Sequence, residues 1–548
     1  MNLLQNSTYV RQPYILTLIC FFCVQSQLLA QEYTRQDTVR GSITQERSWW
    51  DLKYYKLEVT VDPKTKSIHG KNTIHYKVLE ANRRMQIDLQ IPMQLTKATQ
   101  RGKSLKIDHD SNAHYIHLES PQVKSSVDSI TVYFEGRPKA AVRPPWDGGF
   151  TWTKDQNGND FIATTCQGIG ASVWWPNKDH MYDEVDSMKI RVNVPKHLMA
   201  VSNGRLINIS KHDSTATYTW VVSNPINNYG VNINIGDYVN FSEIYEGEKG
   251  NLDMNYYVLK PHLEKAKKQF LEAPKMMKAF EYWLGPYPFY EDSYKLVEVP
   301  YLGMEHQSSV TYGNQFKNGY LGRDLSGTGW GLKFDFIIVH ESGHEWFANN
   351  ITNKDIADMW IHEGFTAYTE NLFLDYYYGK EAAAAYVIGT RKRIQNDRPL
   401  IGDYNVNNEG SSDIYYKGAN MIHMLRQLTK DDEKWRQMLR KMNAEFYHQT
   451  VTSLQIESFL SKEIGWNLKF FFNQYLRDVR IPVLEYRIDG GKLNYRWNNV
   501  VSGFDMPVEV IKEKQSLWLY PTESWQTTAA NTSEIEIDSD YYINLKKL

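Results

Sequence analysis

Two histidines and a glutamate, His340, His344 and Glu363, are the residues of this chain best suited to do chemistry. The segment runs His340-Glu341-Ser342-Gly343-His344, and Glu363 follows after eighteen intervening residues. On a helix, residues four apart share a face, so both imidazoles point the same way. Imidazole nitrogen and carboxylate oxygen are zinc donors, and three protein donors leave a fourth position for water, as a catalytic site requires. Glu341, one residue past the first histidine, is placed to take a proton from that water. The plain alternative is a pair of core histidines with a glutamate between them. In a chain with 15 histidines, H-E-x-x-H arises by chance in about one chain in forty, and a glutamate at one fixed spacing lowers this to roughly one in several hundred.

Holding the three donors together requires two helices. Lys333 to Val339 and Glu345 to Ala348 flank the motif with apolar residues and no proline, which predicts one buried helix through it. A second helical pattern opens at Trp360-Ile361-His362-Glu363-Gly364-Phe365. Glu370, seven residues past Glu363, faces almost the same direction and is expected to orient a ligand from behind.

At 548 residues the chain has room for two to four domains. Short alternating runs such as Lys56 to Val61 and Ser129 to Phe134 predict a β domain over 46–245. Helical spacing then dominates 246–480, and alternation returns over 481–548 in five to seven short strands. Residues 31–45 are expected to be a linker. Residues 1–30 have the layout of an export signal, with Arg11 in a polar head, an apolar run from Tyr14 to Val24, and Ala30 as the cleavage point. The run is too short to span a bilayer, so the expectation is an exported chain, periplasmic or extracellular if bacterial, with no integral span once the signal is removed. Cys20 and Cys23 leave with that signal, so Cys166 stands alone and no internal disulfide forms. A formal net charge of -2 offers no basic stripe and excludes nucleic acid as the expected partner.

The chain resembles the aminopeptidase N family of zinc exopeptidases, which includes the leukotriene hydrolase branch. The resemblance rests on H-E-x-x-H with Glu363, on Leu302-Gly303-Met304-Glu305-His306 beside the family's G-x-M-E-N motif, and on Tyr415-Tyr416-Lys417-Gly418 beside its Y-x-K-G. It implies a multidomain α+β fold: an N-terminal β-sheet domain, a thermolysin-like mostly helical catalytic domain and a small C-terminal β-sandwich-like domain. It implies one zinc per chain on His340, His344 and Glu363, with Glu341 as general base and Tyr415 as oxyanion donor, Tyr416 being the competing tyrosine. It further implies that Gly303, Met304, Glu305 and Gln167 bind the substrate, Glu305 and Gln167 holding the α-amine of a peptide with a free N-terminus. A zinc endopeptidase and a non-catalytic peptide-binding protein are the alternatives. His306 and Leu302 depart from the family motif, so the pocket for the first side chain is expected to differ in shape and charge. Larger relatives add a helical domain over the site; without it a more open cleft is expected.

Overall fold

The structure, a computed structural model, describes residues 33–512, 515–529 and 534–548, so the export signal read at 1–30 lies outside the described residues. The order of β, then mostly helix, then β is the one expected.

The N-terminal domain is built on an eight-stranded sheet, with a four-stranded and a three-stranded sheet beside it. Its central strand, Trp50–Asp62, buries Trp50 and Leu52 and then Tyr55, Leu57, Val59 and Val61. The buried set changes from even to odd positions at a register shift between Leu52 and Tyr54, where an extra residue turns the strand over. That strand pairs in parallel with Ser187–Pro195 and antiparallel with Ser67–Val78. The four-stranded sheet contains Asp160–Thr165, and Gln167 lies two residues past its end.

The strand Tyr238–Gly247 forms a hairpin with Gly250–Leu259, and the hairpin continues through Tyr294–Glu298 and Val310–Tyr312 to the short edge strand Gly303–Met304. This five-stranded sheet belongs with the helices. The expected boundary at 245/246 therefore cuts a hairpin; the change of sheet comes near Asp237. Alternation marks a strand but not the sheet it joins, so it does not reveal this boundary.

Four helices bear on the site: α1 (Arg35–Gly41), α2 (Phe336–Gly343), α3 (Trp360–Tyr378) and α4 (Tyr416–Thr429). The first is a correction. Residues 31–45 are not all linker, because Thr34 and Asp37 close a capping box that starts α1. The C-terminal strands form a four-stranded and a three-stranded sheet, as a sandwich-like domain requires. Leu484, Trp497 and Val508 share one continuous apolar cluster with Phe472 and Tyr475 of the helical region, whereas the N-terminal domain has its own cluster. Among the described residues no helix is long and apolar enough to cross a membrane.

Candidate active site

The site forms where α2, α3 and the start of α4 meet the edge strand Gly303–Met304, with one wall supplied by the N-terminal domain. α2 starts at Asp335, whose carboxylate accepts from the N–H groups of Ile337 (3.1 Å) and Ile338 (3.3 Å) and from Tyr312, Asn314 and Gln269, each at 2.8 Å. Every residue of α2 is buried. The helix stops at Gly343 and does not run through Ala348 as the flanking pattern predicts, leaving His344 as its capping residue. The turn after it brings the Phe347 carbonyl to 3.0 Å from His344 Nδ1, which donates to it, with Thr366 Oγ1 also at 3.0 Å.

His340 Nδ1 donates to Glu370 Oε1 at 2.7 Å, and Tyr386 donates to the other Glu370 oxygen at 2.5 Å. With both Nδ1 atoms committed as donors, each Nε2 presents a lone pair inward. These lone pairs face Glu363 Oε2, at 3.6 Å from His340 and 3.3 Å from His344. Glu363 Oε2 is buried and has no hydrogen-bond partner. Three donors converging on one point, one of them a buried carboxylate oxygen with no hydrogen-bond partner, form a set that a cation between them satisfies. Ligand arms of zinc length, near 2.1 Å, give tetrahedral edges of about 3.4 Å, which matches the two spacings. The residues present therefore fit a divalent ion of zinc size, and Glu370 takes the orienting position expected of it.

Glu341 projects from α2 into a cavity of about 470 Å³ that also receives Glu305, Glu363 and Tyr415. Burial pushes its carboxyl up to about 7, against the pull of His340 and His344. Gly303 passes so close that a Cβ there would lie 2.6 Å from Ile337 Cγ2 and 3.2 Å from Glu341 Cγ, which explains glycine at that position. Glu305 is buried, and a ligand atom of it, of Glu341 and of His344 lie within 4.8 Å of one another. Gln167 Nε2 donates to Glu305 Oε1 (2.8 Å) and to Glu363 Oε1 (3.0 Å), joining the N-terminal domain to the site.

Met304 is a correction. The Met304 side chain packs into a small cluster with Ala163, Val299 and Tyr301 and does not line the cavity, whereas Gly303 and Glu305 do. His306 is likewise buried, with Nδ1 3.3 Å from Thr311 Oγ1; burial pushes it down to about 3, and it brings no charge to the pocket. Leu302 does line the cavity.

Tyr415 sits at the junction of a 3-10 turn and α4, its ring 6.0 Å from that of His340 and nearly parallel to it. Burial holds its hydroxyl well above the usual tyrosine range, so it stays a donor. Tyr416 lines the same cavity beside Arg393, whose guanidinium is 6.0 Å from its ring. Gly418 lets α4 approach α3: a Cβ on it would stand 2.9 Å from Gly364 Cα. Sequence reasoning missed Trp146, an exposed indole on the cavity lip, Arg393 and Glu409 in the wall, and buried Tyr229, stacked on His362 at 6.4 Å. No local motif carries them.

Residues 269–475 match the Peptidase family M1 domain and residues 52–229 the Peptidase M1 N-terminal domain, together more than two thirds of the chain. The chain is 23% identical over 442 residues to leukotriene A-4 hydrolase of Xenopus laevis, covering 75% of this chain and 68% of the hydrolase. It is 21% identical over 516 residues to the puromycin-sensitive aminopeptidase of Caenorhabditis elegans, covering 88% of this chain but 52% of that enzyme. Against aminopeptidase M1-B of Oryza sativa the figures are 24% over 355 residues, 61% of this chain and 38% of the relative. Among solved structures, the M1 zinc metallopeptidase of Deinococcus radiodurans superposes with a TM-score of 0.66 at 19% identity, over 80% of this chain and 95% of that one.

Proposed function

The chain belongs to peptidase family M1, and from that premise we propose that it is a zinc-dependent aminopeptidase removing the first residue from peptides with a free N-terminus. The observation that carries this reading is Glu305, buried beside Glu341 and His344 and held by Gln167. A peptide α-amine, with a pKa near 8, is mostly cationic at neutral pH and needs an anionic partner. A carboxylate fixed one residue's length from the metal donors admits only the first peptide bond to the reacting position.

His340, His344 and Glu363 would hold the zinc, which when bound supplies Lewis acidity to the scissile carbonyl and to the attacking water. Glu341 takes the water proton and returns it to the leaving amine. The Tyr415 hydroxyl donates to the oxygen that gains charge in the transition state. Glu305 and Gln167 receive the ammonium and fix the register.

The test is hydrolysis of unblocked aminoacyl-arylamides and their N-acetylated counterparts by the wild type and Glu341→Gln, with metal content measured for both. Cleavage of the unblocked set alone, lost in a zinc-loaded variant, supports the proposal. Equal cleavage of both sets favours an endopeptidase, and inertness of a zinc-loaded wild type favours a binding protein. The 1–30 segment supports export as part of this reading, and recovery of the chain only inside the cell with residues 1–30 still attached would remove it.

A further inference from the structure

Behind Gln167 the protein is not filled. A cavity of about 50 Å³ lies there, reached by Arg40, Gly170, Asp179, Tyr229 and Met359. The segment Gln167-Gly168-Ile169-Gly170 crosses its mouth with φ of 68° at Gly168 and 91° at Gly170. Within the loop the Gly170 N–H donates to the Cys166 carbonyl at 2.7 Å, and Gln90 Nε2 donates to the Ile169 carbonyl at 2.7 Å, which leaves the Gly168 carbonyl beside Gln167 for partners from other segments.

What fixes it comes from outside. Arg40 Nη2 donates to the Gly168 carbonyl at 2.6 Å, and Asn407 Nδ2 donates to the same oxygen at 3.3 Å. The same Arg40 nitrogen lies against Gly170, where a Cβ would stand 2.5 Å from it. Arg40 is held in turn: Arg47, fully buried, donates through Nη1 to the carbonyls of Val39 (2.8 Å), Arg40 (3.0 Å) and Ser42 (2.8 Å), and through Nη2 to Asp88 at 2.7 Å. Gly41 packs directly on Val406 and Asn407, and the Tyr33 hydroxyl bonds Asp403. Residues 33–47 thus span from the N-terminal domain to the 403–407 loop and touch both of them beside the Gln167 loop.

We infer that residues 33–47 are a brace for the amine-binding end of the site, and that Arg40 is a positioning residue acting through Gly168 on Gln167 and so on Glu305. This rests on the aminopeptidase reading. Ammonium contacts are made equally in the ground and transition states, so loosening Gln167 from Glu305 raises KM and spares kcat, and zinc content is measured in each variant because Gln167 also donates to Glu363 at 3.0 Å.

The experiment uses the full chain with zinc bound and an unblocked aminoacyl-arylamide, comparing wild type, Arg40→Met, Arg40→Lys, Gln167→Ala and the Arg40→Met/Gln167→Ala double variant, with hydrogen exchange followed in the same samples. The expected result is a rise in KM of about five- to twentyfold for Arg40→Met with kcat within about twofold, most of it restored by Arg40→Lys. The double variant should be no worse than Gln167→Ala alone, because the two residues act in series. Exchange should rise at 167–170 and stay unchanged in α2. A lower kcat at constant KM would mean a smaller folded fraction and overturn the inference, as would additive effects in the double variant. If the wild type cleaves nothing, the aminopeptidase reading fails on its own, and the exchange pattern still decides: no rise at 167–170 in Arg40→Met overturns the brace.

Discussion

Both imidazoles are held from within the helical region, His340 by Glu370 with Tyr386 behind it and His344 by the Phe347 carbonyl and Thr366. Around Glu305 the partners come from elsewhere, since Gln167 belongs to the N-terminal domain and is itself steadied by Arg40 and Asn407. The two ends of one cavity thus differ in how they are built. The histidines are held locally, whereas Glu305 and one oxygen of Glu363 depend on how two domains meet. In the proposed reading, the chemistry that any metallopeptidase needs is placed in the first, and the choice of which peptide bond is cut in the second.

The contrast can be sharpened by perturbing each end. Glu341→Gln should lower kcat by about a thousandfold with melting temperature and zinc content unchanged, measured by arylamide hydrolysis, thermal denaturation and metal analysis. Tyr415→Phe should cost about a hundredfold in kcat with little change in KM, and Tyr416→Phe far less; the reverse order would reassign the oxyanion donor. Glu370→Gln, which leaves the His340 proton with a weaker acceptor, should weaken zinc binding by about ten- to a hundredfold in competition with a chelator, and unchanged affinity would break the picture of locally held histidines.

The smallest effect belongs to the domain junction. Glu184, pushed up to about 7 by burial, faces Asn227 and, across the junction, Thr352. A carboxyl whose folded pKa lies above its unfolded one binds more protons when folded, so its contribution to stability falls as pH rises from about 4.5 through about 7. Glu184→Gln should therefore melt higher than wild type at pH 8, by the equivalent of about 1–3 kcal/mol, and match it at pH 4. Scans at the two pH values check this; a gain at both would place the effect elsewhere.

The same contrast explains what is legible in the chain. His340, Glu341, His344 and Glu363 are legible because helical periodicity relates sequence spacing to direction, and Glu370 follows from that rule. Tyr415, Gly303 and Glu305 are found by resemblance, and their geometry becomes intelligible only through the approach of Gly303 to Glu341 and of Gly418 to Gly364. The Met304 side chain packs away from the cavity, because a motif is matched as a unit whereas its residues need not share a face. The β, helix, β outline is visible in the change of period. The domain boundary and the docking of α1 are not, since each depends on a pairing between distant segments.

The continuous apolar cluster that joins the last strands to the helices has a consequence for cooperativity. Arg391 donates to the carbonyls of Ser539 and Asp540, and His423 on α4 lies 3.1 Å from the Asp540 carboxylate, so the end of the chain supports the helix that begins next to Tyr415. Calorimetry should find two unfolding transitions, one for each large core, with residues 481–548 melting together with the metal site. Three domains in outline, the chain is two units in energy.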